Sequence, residues 1–183
     1  IIGKALIENP GVKFSKEDVI NLYNTQIPST SLIQDIFQGI YYLEKENVWL
    51  DKISNGILNM NHYSGKTLEY KKSIAYYALF QASLTKRPFN LFHRNNLDIR
   101  TRDVKRNFGN KVTWEKNFSD CFEAFVSEIN LLIYNSKKKC LSINESIFDI
   151  EKTDYDLVYL DPPYLNSDGS NETSNYLKCY HFL

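Results

Sequence analysis

The chain has 183 residues, with 22 basic and 22 acidic side chains and a formal net charge of zero, so global charge names no partner, and the 43 % hydrophobic content supports a buried core. Cys121, Cys140 and Cys179 lack the paired spacing of a disulfide framework or zinc site, and the three histidines are scattered, so no metal is expected. No apolar run is long enough to span a membrane, and the composition agrees with a cytoplasmic globular protein.

In chain order, Ile1 to Glu8 reads as the end of a helix, stopped by Asn9-Pro10-Gly11. Ser15 is placed to cap a helix through about Tyr23, with Glu17 and Asp18 near its positive end. Pro28-Ser29-Thr30 breaks the pattern, and Leu32, Ile33, Ile36, Phe37 and Ile40 then recur at helical spacing. Thr67 to Leu84 reads as a further helix, with Ile74, Tyr77, Ala78 and Gln81 along one line. Phe118, Cys121, Phe122, Phe125, Ile129, Leu132 and Ile133 form the clearest amphipathic stripe, which serves core packing. Strands are expected at Lys139 to Ile143 and at Leu157 to Leu160, the second apolar enough to be buried on both faces of a parallel sheet. Asn144 to Asp156 between them is about the dozen residues that a parallel crossover requires. Residues 1–30 are expected to belong to a catalytic domain, 31–135 to a largely helical inserted block, and 136–183 to the catalytic domain again.

Charge is unevenly spread. From Lys86 to Lys116 nine basic side chains face three acidic ones, a local +6 in a chain whose total is zero. Such a patch is the expected footprint of a phosphate backbone, and arginine can also read guanine in the major groove. Arg87, Arg94, Arg100, Arg102, Lys105, Arg106, Asn110 and Lys111 are the candidate DNA contacts. Arg100, Arg102 and Arg106 do not share one helical face, so some of these side chains serve structure. Phe89, Phe92, Phe108 and Trp114 interleave with the charges and are expected to pack beneath them.

At the end of the second predicted strand stand Asp161, Pro162, Pro163 and Tyr164. They offer a hydrogen-bond acceptor, a backbone carbonyl held by proline rings and a flat stacking surface. In open parallel sheets, ligands bind at the carboxyl ends of strands. That set suits a planar substrate with an exocyclic amine, such as a flipped-out adenine, and points to amino-group methylation of a nucleobase.

Asp156-Leu157-Val158-Tyr159-Leu160-Asp161-Pro162-Pro163-Tyr164 resembles the catalytic motif of N6-adenine DNA methyltransferases, particularly the Dam-type group. The resemblance implies an α/β fold, part of a Rossmann-like S-adenosylmethionine-dependent methyltransferase, with a helical recognition domain inserted before the catalytic motif. Asn144-Glu145-Ser146-Ile147-Phe148-Asp149 resembles the family segment that packs against the donor's adenine ring, which implies donor contacts at Glu145, Ser146 and Ile147 as well as Asp161. Where the family has an acidic residue, this chain offers Glu145 or Ser146. Arg87-Pro88-Phe89-Asn90, Phe108-Gly109-Asn110-Lys111 and Thr113-Trp114 look like the target-recognition region of restriction-modification methylases, which implies double-stranded DNA as partner. Cytosine-N4 enzymes carry Ser-Pro-Pro-Tyr and release-factor methylases Asn-Pro-Pro-Tyr. Aspartate favours adenine, although some ribosomal RNA guanine methylases share it. The competing readings are therefore an RNA base methyltransferase and a non-catalytic DNA-binding remnant of a modification gene.

The glycines show no Gly-x-Gly spacing, so the donor-binding loop of such enzymes is missing from this stretch. The chain is accordingly expected to be the middle of a larger enzyme, with little turnover alone. Sequencing the source DNA upstream of the codon for Ile1 is expected to find an in-frame Phe-x-Gly-x-Gly loop within roughly 30–60 residues.

Overall fold

A computed structural model of the chain describes residues 1–29, 31–87, 92, 95, 97–103, 110–150, 155–161 and 179–183. Gly3–Glu8 winds as a π-helical turn that ends at Asn9. The Asn9 amide donates to the Ala5 and Val12 carbonyls, and its oxygen accepts from the Gly11 and Val12 N–H groups at 3.1 and 2.7 Å. Gly11 sits at φ +129°, which a residue with a Cβ rarely adopts. The stop is thus made by an asparagine that satisfies the freed backbone groups and a glycine that permits the turn.

Helix α1 (Lys16–Tyr23) begins as the sequence predicts. Ser15 accepts from the Asp18 N–H at 3.2 Å, and the Asp18 carboxylate accepts from the Ser15 N–H at 2.6 Å. Asp18 also accepts from the Tyr63 hydroxyl at 2.7 Å and from Lys71 Nζ, so the cap ties α1 to the centre of the molecule. Helix α2 (Leu32–Phe37) is shorter than its apolar repeat. Its first N–H groups, of Ile33 and Gln34, donate to the Asp51 carboxylate at 2.9 and 3.0 Å. Ile33, Phe37 and Ile40 turn to the core, while Leu32 and Ile36 face solvent.

Helix α3 (Glu44–Leu58) is an element the sequence analysis does not predict. Leu50, Ile53 and Ile57 give it a buried stripe at intervals of three and four. Helix α4 (Gly65–Thr85) is the central element, packed against α3, the N-terminal turn and, above all, α7 (Phe118–Leu132). Ala75, Ala78 and Ala82 are fully buried, and these small side chains let the two long helices approach closely. Two short helices, α5 (Leu97–Thr101) and α6 (Asn110–Glu115), lie between α4 and α7. Helices α2 to α7 fall inside the expected helical block. Ala5, Phe14 and Leu22 join the same core, and the Asn130 side chain both donates to and accepts from the Phe14 backbone. The described residues of 1–29 and of 31–133 thus contribute to one core.

The expected α/β fold is not what the chain adopts. Among the described residues the structure is helical, with no strand and only an isolated bridge between Gln38 and Tyr42. Residues 139–143 and 157–160, expected as strands, have no regular structure. Leu157 and Tyr159 are each 85 % exposed. An apolar run has surface to bury, but a strand exists only when neighbours complete its ladder, and none of the described residues does so. No helix among the described residues is long and apolar enough to cross a membrane.

Burial pushes the Asp18 carboxyl up, yet hydrogen bonds from Lys71, the Ser15 backbone, Tyr63 and the Ser15 hydroxyl outweigh it and hold its pKa below the ordinary value. Asp18→Asn leaves the buried Lys71 ammonium without its counter-ion and is expected to lower the unfolding free energy by about 3–5 kcal/mol in urea denaturation. Because the folded pKa is depressed, wild type holds the contribution above the unfolded value of about 3.9 and loses it as pH falls through the folded one; the variant lacks that acid-dependent loss.

Candidate functional site

Two cations of the basic stretch, Lys86 and Arg100, meet at one carboxylate. Glu46 lies in the first turn of α3, where its Oε2 accepts from the Leu43 N–H at 3.0 Å. The Arg100 guanidinium of α5 grips it with both forks, at 2.8 Å each. Lys86, at the end of α4, places Nζ 2.9 Å from Glu46 Oε1. The three side chains are nearly sealed from solvent, at 1 % exposure for Lys86, 4 % for Arg100 and 8 % for Glu46. Lys86 Nζ also donates to the Trp114 carbonyl at 2.8 Å and to that of Lys116, and Arg100 reaches the Trp114 carbonyl at 3.3 Å. One acid and two bases thereby join the start of α3, the end of α4, α5 and the α6–α7 link. Burial pushes the Glu46 carboxyl up, but the Arg100 hydrogen bonds and charge, the Leu43 N–H and Lys86 hold its pKa below the ordinary value.

Arg87 is also withdrawn from solvent, at 1 % exposure. Its guanidinium lies 4.6 Å over the Tyr41 ring and 5.4 Å over Phe92, a cation–π arrangement inside an aromatic cluster. Arg87 and Arg100, both expected as DNA contacts, are therefore held in the core by aromatic rings and a carboxylate. Arg102 is exposed and pairs with Asp98 one turn away. Asn110 and Lys111 stand at the start of α6. Arg94, Lys105 and Arg106 lie outside the described residues, as do Phe89 and Phe108.

Of the corner expected to be catalytic, Asp161 alone is among the described residues. Asp161 is exposed, at the end of the exposed 155–161 segment. Pro162, Pro163 and Tyr164 lie outside the described residues. Cys179, the next described residue, has a carbonyl that accepts from the Phe92 N–H at 3.0 Å. Phe182 stacks on Phe92 with centroids 4.8 Å apart and meets Phe37 and Tyr41 edge-on. The Tyr41 hydroxyl donates to the Phe92 carbonyl at 2.8 Å, so its oxygen accepts from His181 Nε2–H at 2.9 Å. Residues 179–183 thus pack on the aromatic cluster that holds Arg87.

Glu145, Ser146 and Ile147 lie in an exposed loop, where the Ser146 hydroxyl accepts from the Phe148 N–H at 3.3 Å and caps the 3₁₀ turn Ile147–Asp149. Phe148, the flattest surface there, is 93 % exposed. An open loop whose serine is already engaged does not enclose a donor the size of S-adenosylmethionine, so these residues do not by themselves fit as its site. Among the described residues no group of three or more His, Cys, Asp and Glu is arranged to hold a metal ion.

Beside the buried charges opens a cleft of about 370 Å³. Lys45, Trp49, Arg100, Trp114, Lys116 and Phe118 are among its walls. Trp49 stacks on Phe118 with centroids 5.3 Å apart and planes 22° from parallel. Glu46, Lys45 and Trp49 are not candidates in the sequence reading, because they belong to the unpredicted α3. The signal was there: acids at Glu44 and Glu46 opening an apolar repeat at Leu50, Ile53 and Ile57.

No protein-family model, no curated protein and no solved structure matches this chain.

Glu46→Gln leaves two buried cations without a carboxylate and is expected to lower stability by about 3–5 kcal/mol in thermal or urea unfolding. Because the folded pKa of Glu46 is depressed, wild type retains its contribution above the unfolded glutamate value of about 4.3 and loses it in more acid solution, whereas the stability of the variant falls less steeply there.

Proposed function

We propose that this chain serves adenine-N6 methylation of DNA, as the target-binding and base-binding part of a methyltransferase. The observation that carries this reading is the run Asp161-Pro162-Pro163-Tyr164 directly after the apolar segment ending at Leu160. The exposure of Asp161 supports it, since a carboxylate that meets a flipped base must be reachable. The exposed Arg102 and Lys116 of the basic stretch support a phosphate-binding surface.

The exocyclic amine of adenine is a poor nucleophile, because its lone pair is delocalised into the ring. Flipping the base from the duplex costs a few kcal/mol of unstacking. Stacking on Tyr164 offsets part of that cost. The Asp161 carboxylate and the Pro162 carbonyl accept hydrogen bonds from the amine and favour a more tetrahedral nitrogen with its lone pair available. This is catalysis by positioning and electrostatics, with no covalent enzyme intermediate. Asp161 need not take the proton, which the methylated product can lose to solvent. S-adenosylmethionine is the donor the motif implies, and it supplies an electrophilic methyl group.

The test is expression of the complete open reading frame in a host without adenine methylation, with N6-methyladenine in DNA and RNA read by nucleoside mass spectrometry. Wild type is expected to mark DNA, and Asp161→Ala to lower the mark by at least about 100-fold, as loss of a group that stabilises developing charge does. Gel-shift affinity for duplex DNA is expected to stay within a few-fold. A mark confined to RNA makes the chain an RNA base methylase, and DNA binding with no mark makes it a non-catalytic remnant.

A further inference from the structure

The sequence contains two tryptophans, and Trp49 and Trp114 both line the cleft beside Glu46. Their helices are far apart in the chain and are brought together by the buried carboxylate and its two cations. The cleft, at about 370 Å³, lies within the roughly 300–1,000 Å³ range of small-ligand sites.

Its charge points to an anion. Glu46 is shared between Arg100 and Lys86, so that cluster keeps one positive charge. Lys45 and Lys116 are exposed at the rim and add two more, against one from Glu115. The residues that line the cleft sum to +1, and Lys86 behind Glu46 raises the balance to +2, in a chain whose total is zero. Arg100 lines the cleft, and its buried Nε donor has no hydrogen-bond partner among the described residues. Asn117, Phe118 and Ser119, at the start of the fifteen-residue helix α7, form another wall, and the Asn117 amide donates to the first-turn Asp120 carboxylate at 3.4 Å. A helix N-terminus favours negative charge beside it.

Flat aromatic walls with a basic rim are the means by which proteins hold unpaired nucleotides, the base on the ring and the phosphate on the cations. We propose that this cleft binds one unstacked nucleotide of a nucleic-acid strand, with its base against Trp114 and Trp49 and its phosphate at Lys45 and Lys116. The role rests on the reading of the chain as a DNA-handling protein, and it assigns to the cleft a nucleotide other than the adenine at Asp161.

The experiment titrates the 183-residue chain with tetrathymidylate and follows tryptophan fluorescence, which reports from the cleft alone because no other tryptophan exists. Tetrathymidylate carries no adenine, so it cannot act as the methylation target. Saturable quenching that weakens with salt is expected. Trp114→Ala, with its fold checked by circular dichroism, is expected to weaken binding about fivefold or more, the lower end of what one base–aromatic stack contributes. The surface double variant Lys45→Ala/Lys116→Ala is expected to bind more weakly with a shallower salt dependence, and it decides the matter if Trp114→Ala does not fold. Absence of saturable quenching, or unchanged affinity in a folded variant, overturns the proposal. Quenching of this kind in a protein that methylates no DNA would keep the cleft and remove the methylase reading. Methylation that depends on Asp161, without quenching, would remove the cleft alone.

Discussion

The constraint on which the rest of the structure depends is the burial of Glu46 between Arg100 and Lys86. A carboxylate taken out of water is stable only with its charges matched and its lone pairs filled, and here two cations and one backbone N–H do so. Satisfying it fixes where α4 ends, where α5 lies and how the chain enters α7. The energy of such a cluster is not its main contribution, because desolvation cancels much of the Coulomb attraction. Its contribution is geometric. Any other arrangement of these helices leaves a buried charge alone, and that cost excludes the alternatives.

A second tie has the same logic at the other end of α4. Asp18 caps α1 and meets Lys71, so a local helix-start signal is converted into a long-range contact. Apolar packing of α3, α4 and α7 supplies the bulk of the stabilisation in the usual way. The two carboxylate ties then set the positions of the helices that flank that core. The cleft is a product of this arrangement: its walls come from α3, α5, α6 and α7, and the cluster around Glu46 is where these meet.

The consequence for function is a division of labour within the basic stretch. Arg87 and Arg100 look like phosphate contacts when only their charge is counted, yet both are internal struts. Arg102 and Lys116 remain on the surface. Residues 179–183 pack on the aromatic cluster around Arg87 through Phe182 and His181.

Features that depend on neighbours in the chain were legible from the sequence. Ser15 with Asp18 three residues on marked a helix start, and the repeats in Thr67–Leu84 and Phe118–Ile133 marked the two helices of the central packing, because capping and amphipathic periodicity act within a few turns. Helix α3 carried the same kind of signal, blurred by Asn47 and Asp51, which are polar yet buried. The motif at Asp161 and the local excess of charge were likewise visible. What tertiary structure alone decided are the partners. Glu46 lies 54 positions from Arg100, so no local pattern distinguishes that arginine from Arg102, which stays in solvent. The run Leu157–Leu160 has a buried strand's composition, but composition states a need for burial and cannot supply the neighbouring strands. Hydrogen-bond ladders and charge pairs are made between distant segments, and only the folded chain determines which segments meet.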